Sequence, residues 1–327
     1  FINCSSNFGG ALYLDSNNNT YKFTNCEFDN CFASTDGGAI YCDSEDSKLC
    51  FTNCNAYRCH ADDCGGFIFC SGKSTVYNGS GDASTSTVNQ RSNIIGCYAL
   101  DSGGAFYSSV NANCSNYSEV RNFNMAYNTA GASEHKFDAV KSRNSNSWGG
   151  AVCFRGTDMK LCFCDLYSNY ANWYGGAVYC GYRRTSVENC SFYENRCSDA
   201  YGNDIYLDSN NQYVTGCTFY TNGNSVAGYD AAKWSNNTTS AAIKRDLFAN
   251  NEIEDGDYII YTALNEKMAV DIEGGKNAVN VVGANAHLWE NGDAEVFTIT
   301  KDKDKGTYII KSKVTGLVLD VSGCSKD

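Results

Sequence analysis

The strongest constraint on this chain is a short pattern that it writes seven times: "FGGALYL", "DGGAIYC", "CGGFIFC", "SGGAFYS", "WGGAVCF", "YGGAVYC" and a degenerate "GNDIYL". The glycine steps begin at Gly9, Gly37, Gly65, Gly103, Gly149, Gly175 and Gly202, at intervals of 28, 28, 38, 46, 26 and 27. A repeat of this length signals a solenoid whose units bury an apolar face only by stacking on one another. The third position of each unit is apolar throughout (Leu12, Ile40, Ile68, Phe106, Val152, Val178, Ile205) and the fourth is mostly tyrosine. That alternation has a period of two, so these segments are strands. A coil of about 27 residues is too short for a recurring strand and helix. The repeat therefore predicts a parallel β-helix, right-handed by the general preference of parallel crossovers, with equivalent residues about 4.8 Å apart in successive coils.

A second motif marks another side of each coil. "FTNC" and "VENC" precede glycine steps, and "LYSN", "FYEN" and "FYTN" recur before or between them. Cysteines fall in columns: Cys31, Cys59 and Cys97 stand six before the glycine, Cys26, Cys54 and Cys164 eleven before it, and Cys42, Cys70 and Cys180 five after it. Stacked cysteines fill an interior ladder as small hydrophobes, or join rungs as disulfides, since the rung spacing lies within disulfide reach. The two long intervals place insertions at 71–93 and at about 109–147, both polar and expected to project as loops. The reading divides the chain into a β-helix of about seven coils (1–222), a cap or linker (223–256) in which "AAIKRDLFAN" has helical spacing, and a second module (257–327).

Charge and cysteine content narrow the setting. Lys and Arg number 25 against 37 Asp and Glu, a net charge of -12, which disfavours a nucleic-acid backbone. Nineteen cysteines beside three histidines point to an oxidising, extracellular environment. There is no apolar run long enough to span a bilayer, and the chain opens at "FINCSSN" without a recognisable leader. His60, His135 and His287 have no metal-ligand spacing, and no cofactor or metal is expected. The sequons at Asn18, Asn78, Asn116 and Asn237 matter only in a eukaryotic secretory route.

Residues 1–222 resemble the paired "GGA[ILVF]" and "FxxN" repeats of polymorphic outer membrane proteins, which are surface β-helices. The resemblance implies a surface-displayed, adhesin-like solenoid. A different repeat follows: "GDYIIYTALNEKMAVDIEGG" (256–275) and "GTYIIKSKVTGLVLDVSG" (306–323) align Tyr258 with Tyr308 and Asp271 with Asp320. This module is similar to part of a ricin B-type lectin, a β-trefoil. The resemblance implies that Asp271 accepts hydrogen bonds from sugar hydroxyls, that Trp289 stacks on a pyranose face, and that His287 and Asp320 belong to the same kind of site. It departs from the family where Ala294-Glu295 replaces an Asn-Gln pair and His287 replaces a Gln.

Within the solenoid, the residue before the glycine becomes aromatic in the last three steps (Trp148, Tyr174, Tyr201), with Trp173 alongside. These four form a candidate carbohydrate-binding strip at one corner, or else shield that corner. Catalysis has weaker support. Asp15, Asp43 and Asp208 share a turn column where Asp serves local backbone bonds, and Arg183-Arg184 reads as a solvated turn. The expectation is a non-catalytic adhesin binding glycans of a host or neighbouring cell. The alternatives are a β-helix polysaccharide lyase or hydrolase with a lectin targeting module, and a structural surface fibre that self-associates.

Overall fold

A computed structural model describes residues 1–79, 91–109, 118–131, 147–156, 158–182, 184–198, 201–220, 225–228, 234–239, 255–262, 265–274, 285–290, 295–302 and 307–319. It comprises two compact units, Phe1–Arg245 and Asp246–Asp327, and all the described regular structure is β.

The first unit is a parallel β-helix with four sheets running along it, one of seven strands and three of eight. The sheet after the glycine step contains Leu12–Leu14, Ile40–Cys42, Ile68–Cys70, Phe106–Ser108, Val152–Phe154, Val178–Cys180, Ile205–Leu207 and Val226–Gly228. Its register pairs Ile40 with Ile68, Ile68 with Phe106 and Phe106 with Val152. The third-position column is therefore one continuous ladder, buried in a single core with Phe28, Phe51, Phe123, Phe192 and Phe219.

The two glycines of each step do different work. At Gly65 the backbone has φ +70°, a left-handed conformation in which a Cβ would crowd the following carbonyl. At Gly66 the obstacle is the next coil: a Cβ would lie 2.2 Å from the Gly104 carbonyl oxygen and 2.4 Å from that of Tyr98. The first glycine makes the corner and the second lets rungs close to β-sheet distance. In the degenerate step Asn203 replaces the second glycine, and its Oδ1 accepts the Cys197 amide.

Asparagine has two roles as well. Asn25, Asn53 and Asn189 adopt left-handed turn conformations, φ 52°, 50° and 52°, and Asn53 donates to Asn25 across a rung at 2.8 Å. Asn128, Asn169 and Asn195 point inward, bonded in sequence at 3.0 Å. They satisfy carbonyls at the corner, because Asn169 Nδ2 also donates to Met125 O and Asn195 Nδ2 to Leu166 O. Their column continues that of Cys31, Cys59 and Cys97. All described cysteines are free thiols, most of them buried. Burial pushes the Cys59, Cys153 and Cys180 thiols well up.

The solenoid extends past residue 222. Val226–Gly228, Trp234–Ser235 and Thr238–Thr239 each add a parallel strand to one of the sheets. The long intervals also contain regular coil: Ser74–Asn78 and Ser92–Ile95 fall within the first, Ser118–Arg121, Phe123–Ala126 and Thr129–Ala130 within the second. Both were expected to be loops. Their inward positions (Val76, Ile94, Val120, Met125) are buried apolar residues, so these described stretches are ordinary rung, while residues 80–90, 110–117 and 132–146, where the rest of the expected loops fall, lie outside the described residues. The "AAIKRDLFAN" segment lies outside the described residues.

The second unit holds two three-stranded antiparallel sheets. One is Gly256–Tyr258, Phe297–Asp302 and Thr307–Ser312; the other is Tyr261–Thr262, Asn265–Ile272 and Ala286–Glu290. Its small core is Ile272 and Phe297, packed by Ile260, Val270, Ile310 and Leu319.

Candidate carbohydrate-binding site

In the second unit, strands Asn265–Ile272 and Ala286–Glu290 pair so that Asp271 lies directly opposite His287 and Ala269 opposite Trp289. Alternation along a strand puts positions 271, 287 and 289 on one face of this hairpin. The Asp271 carboxylate and the His287 Nε2 are 3.6 Å apart and partly open to solvent, an acceptor beside a donor, which suits paired sugar hydroxyls. The Trp289 side chain and the whole of Asp320 lie outside the described residues. Glu295 is buried and accepts a hydrogen bond from Ser312 Oγ, which in turn receives the Thr315 amide. The residue standing in place of the family's amide is thus tied into a turn of the module.

The solenoid corner brings its four aromatic candidates together. Trp148 bridges to Tyr174, and Tyr174 to Tyr201, in successive coils. Their ring faces, however, are largely taken up by one another. Tyr174 is stacked on Trp173 at 5.0 Å and on Tyr206 at 4.3 Å. Trp148 is stacked on Tyr179 at 5.3 Å, with the Arg155 guanidinium 4.5 Å from its ring centre. Tyr201, 47 % exposed, meets Tyr174 edge-on at 5.1 Å. Sugar rings bind an aromatic through its face, so Tyr201 and the partly exposed Trp173 are what this corner presents to a ligand.

Sequence reasoning did not anticipate an aromatic ladder on the outer surface. The fourth-position rings Tyr13, Tyr41, Phe69 and Tyr107 stack in succession at 5.1, 4.9 and 5.1 Å, within about 11° of parallel. Tyr13 at the first coil is half exposed, Tyr41 and Tyr107 are partly buried, and Phe69 between them is buried. The turn-column carboxylates serve this ladder: Tyr13 donates to Asp43 at 3.1 Å and Tyr179 to Asp208 at 2.7 Å. Of the paired arginines, Arg184 bonds Asp158 at 2.5 Å, while Arg183 is not described. His60 is sandwiched between Phe32 and Tyr98, each at 4.7 Å, and His135 is not described. The sequon residue Asn78 is buried and accepts from Ser92 Oγ at 2.6 Å.

Acids and bases gather on one flat face. On strands Ser118–Arg121, Met159–Cys162 and Ser186–Glu188, Lys160 pairs with Glu188 at 2.8 Å and Arg121 lies 3.9 Å from Glu119. The Cys162 thiol donates to Glu119 at 3.0 Å. Another acidic group, Asp36 with Asp63 and the Cys64 thiol, lies within 4.8 Å. Burial, with repulsion from Asp63, raises the Asp36 carboxyl to about 6. Among the described residues no helix is long and apolar enough to cross a membrane.

Fold and site together define a parallel β-helix followed by a lectin-like β module. Residues 246–327 match the family described as "Ricin-type beta-trefoil lectin domain-like". Comparison with curated proteins and with solved structures returns no match. The lectin-like domain suggests a carbohydrate-binding role.

Proposed function

We propose that this is an extracellular, non-catalytic glycan-binding protein of adhesin type, in which the β-helix is a rigid stalk for a ricin B-type module that recognises glycans of a host or neighbouring cell. The observation that carries the reading is the family match over 246–327 together with Asp271 and His287 facing each other on one hairpin face. Lectin domains of this kind are commonly extracellular, and a chain of net charge -12 suits display in water. The "GGA[ILVF]" and "FxxN" repeats support surface display by resemblance to polymorphic outer membrane proteins. The test is a glycan array with the full chain, the Asp271→Ala variant and the Trp289→Ala variant. The reading expects a defined set of bound glycans, lost in both variants while the melting temperature of the solenoid is unchanged. Equal signals from all three, or none from the wild type, would overturn it.

A second reading, a polysaccharide-processing enzyme, is favoured by one feature: Glu119, Arg121, Lys160 and Glu188 share an outer face. Ion pairs already occupy each of these groups, which weakens their availability as acid or base.

A further inference from the structure

We infer that Cys42 and Cys70 form a modification site: the pair closes into a disulfide that ties the second coil of the solenoid to the third. The two residues are register partners on the neighbouring strands Ile40–Cys42 and Ile68–Cys70, and both belong to the buried core. Strand spacing sets their Cα atoms about 4.8 Å apart, inside the range of roughly 4.4–6.8 Å that a disulfide spans. Their sulfurs are already in contact, the Cys70 thiol donating to the Cys42 sulfur.

The column itself selects the partners. Leu14 stands before Cys42 and Ser108 after Cys70, so each of the two has the other as its sulfur neighbour along the column. The ladder of Cys31, Cys59 and Cys97 differs, because its middle thiol meets one on either side and spacing alone picks no pair. Cys180 lies farther along the column of Cys42, between Phe154 and Leu207, with no sulfur to join. If cysteines here were only small apolar filler, Cys42, Cys70 and Cys180 would behave alike.

The surroundings of Cys42 are those of a reactive thiol. Ser44 Oγ and Ser74 Oγ lie 3.0 and 3.5 Å from its sulfur, and both serines are buried with it. Donation from Cys70, opposed by burial and aided by the two hydroxyls, lowers the Cys42 thiol to about 6, while the same contact and burial push Cys70 well up. Cys42 is thus the attacking thiolate, and Cys70 keeps its proton until the second step.

The oxidant is a small disulfide of the glutathione disulfide class, whose supply rests on the extracellular setting proposed above. The Cys42 thiolate attacks one sulfur of the reagent, breaks its S–S bond and expels one thiolate. Cys70 then gives up its proton and attacks the Cys42 sulfur of the mixed disulfide, expelling the second. Each expelled thiolate takes up the proton that one cysteine has lost, so two cysteine thiols are oxidised to one disulfide and the reagent is reduced to two thiols. Both sulfurs are buried, so the exchange runs as the chain folds or through local opening of the coil, and both routes end in the same bond.

The test takes the full chain, reduced and then equilibrated with glutathione and glutathione disulfide, both natively and during refolding from urea. Acid quenching, alkylation in denaturant and peptide mapping by mass spectrometry then read each cysteine. Peptides joined through Cys42 and Cys70, lighter by two hydrogens than their sum, are expected to outnumber the alkylated forms at least about tenfold, with Cys180 alkylated throughout. Cys42→Ser and Cys70→Ser should each abolish the joined peptides and leave the remaining partner alkylated. The site is refuted if Cys42 and Cys70 are recovered alkylated from the refolded wild type, or if either is joined to another cysteine as readily as to its partner. Should the serine variants not fold, the wild-type map decides alone. The oxidant is supplied in the tube, so a negative map leaves the lectin reading standing and a negative glycan array leaves this site standing.

Discussion

Replacing Gly66 with alanine isolates the contact on which coil stacking depends. Gly66 has no positive φ to protect, so the substitution adds one methyl group and no left-handed strain. That methyl would sit 2.2 Å from Gly104 O and 2.4 Å from Tyr98 O, against an ordinary van der Waals approach of about 3.5 Å. Both obstacles are backbone atoms of the next coil, held in parallel ladders with the coils on either side, so neither can swing away as a side chain would. Relief requires the rungs to separate locally by about 1 Å, which sacrifices inter-coil hydrogen bonds such as Gly66 N to Gly103 O at 3.1 Å. Overpacking of this kind costs about 1–3 kcal/mol and sometimes more, and one or two lost backbone bonds add about 1 kcal/mol each. A destabilisation of at least about 3 kcal/mol is expected. Gly79→Ala is the control: its φ is +89° but the nearest atom to a Cβ is 3.9 Å away, so it should lose only the left-handed penalty of about 1–2 kcal/mol. Urea denaturation followed by tryptophan fluorescence and far-UV circular dichroism measures both. If Gly66→Ala were no more damaging than Gly79→Ala, the account of the second glycine as a stacking contact would be wrong.

Two further outcomes follow from buried charge. The Asp36 carboxyl is raised to about 6, first by burial and then by Asp63, so the folded state holds its proton more tightly than the unfolded chain. Its stabilising contribution is full below the unfolded value near 3.8 and is lost as pH rises through about 6. Discounted for solvent screening, Asp36→Asn should therefore raise stability on the order of 1 kcal/mol at pH 7.5 and have little effect at pH 4, as read by melting curves at the two pH values. The Arg91–Asp165 pair, 2.8 Å apart with side chains 10 % and 2 % exposed, should behave differently. Asp165→Asn alone should cost about 3–5 kcal/mol, whereas Arg91→Met with Asp165→Leu should recover most of it; equal losses from the single and double variants in urea titrations would contradict the pairing.

The solenoid was legible because its grammar is local. Seven glycine steps with an apolar third position imposed the register that pairs Ile40, Ile68 and Phe106. The rungs inside the long intervals were hidden for the same reason. "SEVRNFNMAYNTA" carries the inward pattern of a coil but has no glycine step of its own, so only its pairing with neighbouring coils reveals Val120 and Met125 as ladder members. The aromatic corner was placed correctly as a group by its spacing, but spacing is silent on ring orientation, and orientation decides that Tyr174 is covered on Trp173 and Tyr206. In the second module the resemblance supplied Asp271, while its alignment opposite His287 depends on strand register, which two residues sixteen apart in sequence do not disclose.

The most direct measurement of the central claim is to incubate the full chain with the glycan it binds best on the array, then analyse both the complex and the recovered glycan by mass spectrometry. The account predicts a saturable complex, lost in Asp271→Ala, from which the glycan returns at its original mass. Shortened or unsaturated oligosaccharides accumulating with time, and disappearing in Glu188→Gln, would contradict it and make the solenoid an enzyme.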